Sequence, residues 1–275
     1  MTFKDLLVVQ SMEYDNGPAL TVAAWLAAKF GAHLHGLCLV TPTNPTMAEC
    51  FALGADAEAS VTQRLRHEED AAVEPIEAAF RRELSLRGVS GDWVRIDNCL
   101  AEADAPFHAR LVNLTIMARP DDATPRSLAL ADAFLMEAAT PCLFVPTPLR
   151  SPVALERVIV AWNGSREASR TVADALPLLE QAGAVRILTV GHPAEVTMCT
   201  GAGLSTHLTR YGISAEVRHC AAGHVAERVL DACENFGANF LIMGAYGHAH
   251  LIEETFGGTT RHILENTALP VFMSR

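Results

Sequence analysis

Lysine is almost absent from this 275-residue chain, standing only at Lys4 and Lys29, and the formal net charge is −11. So acidic a surface repels a phosphate backbone over most of its area, which argues against nucleic acid as a partner. The same scarcity excludes a P-loop, whose G-x-x-x-x-G-K-[ST] pattern sets a lysine against a phosphate. No apolar run approaches the roughly 20 residues of a membrane helix. The polar start Met1-Thr2-Phe3-Lys4-Asp5 lacks the basic and apolar regions of a signal peptide, so a cytoplasmic protein without a membrane partner is expected. Cysteines number seven, an odd count, and never fall in C-x-x-C spacing; they read as small buried hydrophobes in a reducing compartment. No G-x-S-x-G elbow appears, which leaves a hydrolytic triad unsupported.

Half of the residues are apolar and 19% are charged, the balance of a folded globular chain long enough for two domains. An internal repeat divides it. Leu6 and Val158, each opening an apolar run, are 152 residues apart, and so are Gly31 and Gly183, each opening a second run. Later landmarks also pair, but at offsets of 124 to 129: Gly88 with Gly212, Asn113 with Asn239, Pro141 with Pro270. A constant offset marks duplication, and its fall from 152 to 124 places an insertion of about 28 residues in the first copy, between Thr41 and Arg87.

Within each copy short apolar runs alternate with helical-period segments, such as 18–30, 57–86 and 165–182, which predicts parallel strands joined by crossover helices. Val172, Ala175, Leu176 and Leu179 share one helix face, and Ser165 stands at the N-cap. Three prolines within residues 146–153 mark the linker. The expected fold class is α/β: two tandem doubly wound parallel-sheet domains, five strands each, spanning residues 1–147 and 154–275. Ligands are expected at the carboxyl ends of the strands, where the strand order switches.

The stretch 239–260 carries the chemistry. An apolar run ends at Gly244 and Gly247; nine residues later Gly257 and Gly258 precede Thr259, Thr260 and a helix-like segment. Glycines admit close backbone approach, and the free N–H groups of a helix start attract an anion, so the stretch reads as a phosphate cradle. The spacing G-x-x-G, nine residues, G-G-T after a buried strand resembles the nucleotide signature of the universal stress protein family. The likeness covers the second half well, through 157–165, 184–190, 240–260 and 269–273; the first half matches in strands and spacing.

That resemblance implies an adenine nucleotide hydrolase-like fold in tandem and an adenine nucleotide, ATP foremost with ADP or AMP as alternatives, accompanied by Mg2+ or not. It implies contacts from Ala161 and Asn163 after the first strand and from the Val190 backbone at the second strand. Gly244, Gly247, Gly257 and Gly258, following Met243, would form the phosphate loop; His248, Thr259 and Thr260 would add side-chain donors, the alternatives being a solvated loop residue for His248 and a plain helix cap for Thr259. Two departures stand out. Gly258 intervenes where the family follows its last glycine with Ser or Thr, and Asn163 replaces the usual Asp; an amide still hydrogen-bonds a nucleoside but cannot hold a cation as a carboxylate would.

At the matching place the first copy reads Met117-Ala118-Arg119-Pro120-Asp121-Asp122, and Gln10, Ser11 and Met12 follow its first strand. Proline removes an N–H and the aspartates repel phosphate, so nucleotide is expected in the second copy alone. No catalytic residue and no metal ligand is assigned. His248-x-His250 with Glu253 and Glu254 reads as a polar loop, and His33 with His35, alternating on one strand, as packed or solvent-facing side chains. The leading expectation is a ligand-controlled regulatory module, homodimeric and with a protein partner of unknown identity, whose first copy serves dimerisation or partner contact. A nucleotide-independent scaffold is the alternative, and slow ATP hydrolysis a third reading with no base to name.

Overall fold

The computed structural model describes residues 2–13, 15–40, 55–97, 101–119, 125–149, 152–191, 200–245 and 258–275. The first half runs β1 (Asp5–Ser11), α1 (Gly17–Phe30), β2 (His33–Leu39), α2 (Ala55–Arg87), β3 (Gly91–Ile96), α3 (Ala101–His108), β4 (Leu114–Ala118), α4 (Pro125–Glu137) and β5 (Cys142–Val145). The second runs β6 (Arg157–Ala161), α5 (Arg166–Leu179), β7 (Ala184–Val190), α6 (Gly201–Thr209), β8 (Ala215–Cys220), α7 (Val225–Phe236), β9 (Phe240–Gly244), α8 (Gly258–Asn266) and β10 (Val271–Ser274).

All ten strands form one sheet in the order β3-β2-β1-β4-β5-β10-β9-β6-β7-β8. Pairing is parallel within each half. The halves meet through an antiparallel pair, β5 with β10, in which Phe272 lies opposite Leu143 and Met273 opposite Cys142. These short, wholly buried last strands would each expose unpaired N–H and C=O groups alone; in this chain they cover one another. Each of them is thereby paired on both sides within the molecule, so neither edge is available to a second chain. Because β5 and β10 run in opposite directions, the carboxyl ends of the two halves point to opposite edges of the common sheet.

The central strands are buried on both faces, as parallel strands covered by crossover helices must be. Alternate residues supply two apolar layers: Leu6, Val8, Val158, Val160 and Ile242 on one side, and Leu7, Val9, Ile159, Leu241 and Met243 on the other. Cys38, Cys142 and Cys233 are buried, and burial pushes the Cys38 thiol up to about 11 and the Cys233 thiol to about 12, leaving them protonated and inert.

The duplication is visible in matched hydrogen bonds. Asn113 Oδ1 accepts from the backbone N–H of Lys4 and Asp5; Asn239 Oδ1 accepts from that of Arg157. Each asparagine locks the start of its half's first strand beside the fourth. The inserted length is seen in the crossover between second and third strands, where α2 has 33 residues and its counterpart α6 has nine.

Candidate functional site

In the second half the strand order reverses between β6 and β9, which lie side by side in register from Val158 opposite Phe240 to Ala161 opposite Met243. From their carboxyl ends the chain departs to opposite faces. After β6 it enters α5, which packs on the layer containing Val172 and Leu178; after β9 it reaches α8, whose Ile263 and Leu264 pack on the other layer. Divergence of this kind leaves a crevice at the sheet edge.

The turn after β6 is built by its own side chains. Asn163 is exposed, and its Oδ1 accepts from the Ser165 N–H at 3.0 Å, an Asx turn that carries the strand into the helix. Ser165 caps α5, its Oγ accepting from the Ala168 N–H at 3.1 Å. The Asn163 acceptor oxygen is therefore spent on the turn, and its NH2 group is the end that a ligand would meet.

Gly244, the last residue of β9, lies under the first turn of α5. A Cβ there would stand 2.7 Å from Ala168 N and 2.9 Å from Glu167 C, so a glycine is required for helix and strand to approach. Around it Thr171 Oγ1 donates to the Ser274 and Glu167 carbonyls, and Ser274 Oγ donates to Asp174 Oδ2 at 2.6 Å. The ends of β9, β10 and α5 are thus tied together. Gly258, which opens α8, is the contrary case: exposed, with nothing within 4 Å of a would-be Cβ. Thr259 is exposed and Thr260 buried, so the two threonines divide between solvent and core. Among the described residues no acidic side chain stands in the first turn of α8, so that turn itself sets no like charge against an anion.

Of the residues singled out on sequence, Ala161 and Met243 are thus adjacent and Gly244 and Asn163 follow them. Val190 ends β7, on the far side of β6, half-buried. Gly258, Thr259 and Thr260 open α8, which starts from the same edge. Gly247, His248 and Gly257 lie outside the described residues, as do His250, Glu253, Glu254 and Pro120-Asp121-Asp122. Sequence reasoning missed one pair here: His224, at the N-cap of α7, and His262 of α8 stack edge to face with ring centroids 5.2 Å apart. They are too distant in sequence to signal each other, and helix packing brings them together.

The corresponding turn of the first half is closed. Asn16 donates from Nδ2 to the Ser11 carbonyl at 2.7 Å and accepts from the Ser11 N–H at 2.9 Å. Both backbone groups at the end of β1 are bound by one side chain, where the second half has an exposed Asn163.

A solved universal stress protein from Archaeoglobus fulgidus superposes with a TM-score of 0.73 at 14% identity, covering 98% of this chain and 96% of that one. The chain has the universal stress protein fold. A Pseudomonas aeruginosa structure carrying the same family name superposes with a TM-score of 0.59 at 18% identity, over 99% of this chain and 93% of that one. In sequence, a universal stress protein of Synechocystis sp. is 29% identical over 147 residues, 49% of this chain and 47% of the relative, so the match spans about half the length of that protein. No protein-family model matches the chain. The resemblance to universal stress proteins read from the glycine signature therefore stands on sequence and on fold, and the 275-residue length fits the tandem type.

Proposed function

We propose that this universal stress protein-like chain binds an adenine nucleotide, ATP foremost, at the carboxyl edge of its second half and works as a ligand-controlled regulatory module. The observation that carries the reading is the asymmetry between the two switch points. At β6 and β9 the turn presents an exposed Asn163 amide, and α8 opens on an unobstructed Gly258 with no acidic residue in its first turn. At the end of β1 the corresponding residue, Ser11, is buried and its backbone N–H and C=O are both bound to the Asn16 side chain. These features fit a nucleotide: a donor for the nucleoside, and free N–H groups with clearance for phosphate. Asn163 in place of a carboxylate disfavours a protein-held Mg2+, so a metal would be held chiefly by the phosphates. Nucleotide bound at this edge would then present a changed surface to a protein partner.

The test begins with the purified full chain, denatured, and its supernatant analysed by ion-exchange chromatography and mass spectrometry. An adenine nucleotide at one per chain is expected, and calorimetric titration of stripped protein should give a single ATP site. Absence of nucleotide together with no binding heat would overturn the proposal. It would leave the second reading, a nucleotide-independent scaffold, which Gly258 in place of a hydroxyl and the packing reason for Gly244 favour.

A further inference from the structure

Three strands of the first half begin with polar side chains on one face of the sheet. His33 opens β2 opposite Asp5 of β1, and His35, two residues on, lies opposite Asp92 of β3. Side chains two apart on a strand share a face, and directly opposed residues on paired strands share it too. The four side chains therefore converge beyond the apolar layer to which Leu37 and Leu39 contribute further along β2. The imidazole rings are 4.7 Å apart. His35 Nδ1 lies 2.8 Å from Asp92 Oδ1, and His33 Nε2 lies 3.3 Å from Asp92 Oδ2. One ligand atom from each of His33, His35 and Asp92 falls within 4.8 Å of the others.

We propose that His33, His35 and Asp92 form a binding site for a divalent first-row transition-metal ion, with Zn2+ the best fit. Two imidazoles and a carboxylate are the donor set that suits Zn2+, at bond lengths of about 2.0–2.2 Å, which place tetrahedral donors about 3.3 Å apart. The two histidine–Asp92 separations, 2.8 and 3.3 Å, are close to or below that value, and all three donors lie within 4.8 Å of one another, a spread that side-chain rotation can close. The outward nitrogens are engaged as metal-bound histidines require: His33 Nδ1 faces Ser90 Oγ at 3.1 Å and His35 Nε2 faces Asp5 Oδ1 at 3.4 Å. In the tautomers that donate from those nitrogens to the hydroxyl and the carboxylate, His33 Nε2 and His35 Nδ1 carry the lone pairs that a metal would take. The histidines are about a third exposed and Asp92 more than half, so a fourth position is open to water or to a donor from another molecule. A bound ion would also pin β3, the outermost strand, to β2. None of these residues takes part in the proposed nucleotide site.

The probe is Co2+ added to the full, chelator-stripped chain and followed by its visible ligand-field absorption, with Zn2+ as competitor. The expected result is one site per chain that shows the intense bands of low-coordinate Co2+ and bleaches with one equivalent of Zn2+. Asp92→Asn, nearly isosteric, and His33→Ala should each weaken Co2+ binding by at least tenfold, and Asp5→Asn, which alters only the outer hydrogen bond, by about 10–100-fold. Circular dichroism melts of the metal-free variants verify folding. A His207→Ala variant, which removes an imidazole outside both sites, should bind Co2+ as the parent does. Absence of saturable Co2+ and Zn2+ binding, or binding that survives both Asp92→Asn and His33→Ala, would overturn the site.

Discussion

Gly244→Ala isolates the packing at the strand end from the chemistry expected there. The added Cβ would sit 2.7 Å from Ala168 N, 2.9 Å from Glu167 C and 3.0 Å from Ala168 Cα. All three are backbone atoms, so no side chain can swing aside. The first of them is the nitrogen whose N–H donates to Ser165 Oγ. Relief requires α5 to move off β9, which strains a close-packed contact by about 1–3 kcal/mol and loosens a cap whose loss costs about 1 kcal/mol. Their sum, about 2–4 kcal/mol, corresponds to a fall in Tm of order 10 °C for a chain of this size. Thermal melts followed by far-UV circular dichroism measure it, with urea titrations to check that the slope is unchanged. Gly258→Ala is the control, because its Cβ meets open space, and its effect should stay within about 0.5 kcal/mol. If the cap is the shared element, Gly244→Ala and Ser165→Ala combine to less than their sum. A Gly244→Ala protein that melts with the parent would refute the close-approach argument and return Gly244 to a ligand-clearing role alone.

Two further perturbations probe other parts of the sheet. Asp132 on α4 is 6% exposed, and burial pushes its carboxyl up to about 7. The folded chain then holds a proton that the unfolded chain releases near pH 3.9, so stability falls as pH rises from about 4 to about 7 and is level above, by at most about 4 kcal/mol. Asp132→Asn should therefore melt higher than the parent at pH 8 and lose that advantage at pH 4; equal differences at both pH values would count against it. Phe272→Pro strikes the β5–β10 pair by removing a ladder donor and a buried ring, at a cost of about 3 kcal/mol or more. Light scattering should give the same number of chains before and after; a lower number would show that this strand also joins chains.

The architecture was legible where one physical cause dominated. Runs such as Leu6 to Val9 and Phe240 to Met243 are buried on both faces and therefore apolar throughout, and their repetition at a fixed offset betrayed the duplication. Ser165 was recognisable as a cap because a hydroxyl before an amphipathic run has little else to do. The β5–β10 pairing is not legible in the sequence, because a short apolar edge strand announces that it needs a partner without saying whose. Gly244 was read as a place for phosphate, and the structure adds a second cause, the first turn of α5, that no local pattern displays. The His33 cluster is hidden from the sequence for a similar reason. Two histidines on a strand say nothing until the register sets Asp92 and Asp5 opposite them.

The antiparallel junction has a consequence for how the two candidate sites stand to one another. Within the first half, His33 and His35 occupy the amino ends of the strands, away from the carboxyl edge where that half's own ligand would lie. Reversal of direction at β5 and β10 turns this amino edge to the same side of the sheet as the carboxyl edge of the second half. From β2 to β6 the strand order counts six steps, which at about 4.8 Å per strand is about 29 Å measured across the sheet. At that separation direct electrostatic coupling is screened at physiological salt. Neighbouring strands also twist by about 20–25° each, so over six steps the two sites turn well away from one another and a single flat partner cannot rest on both.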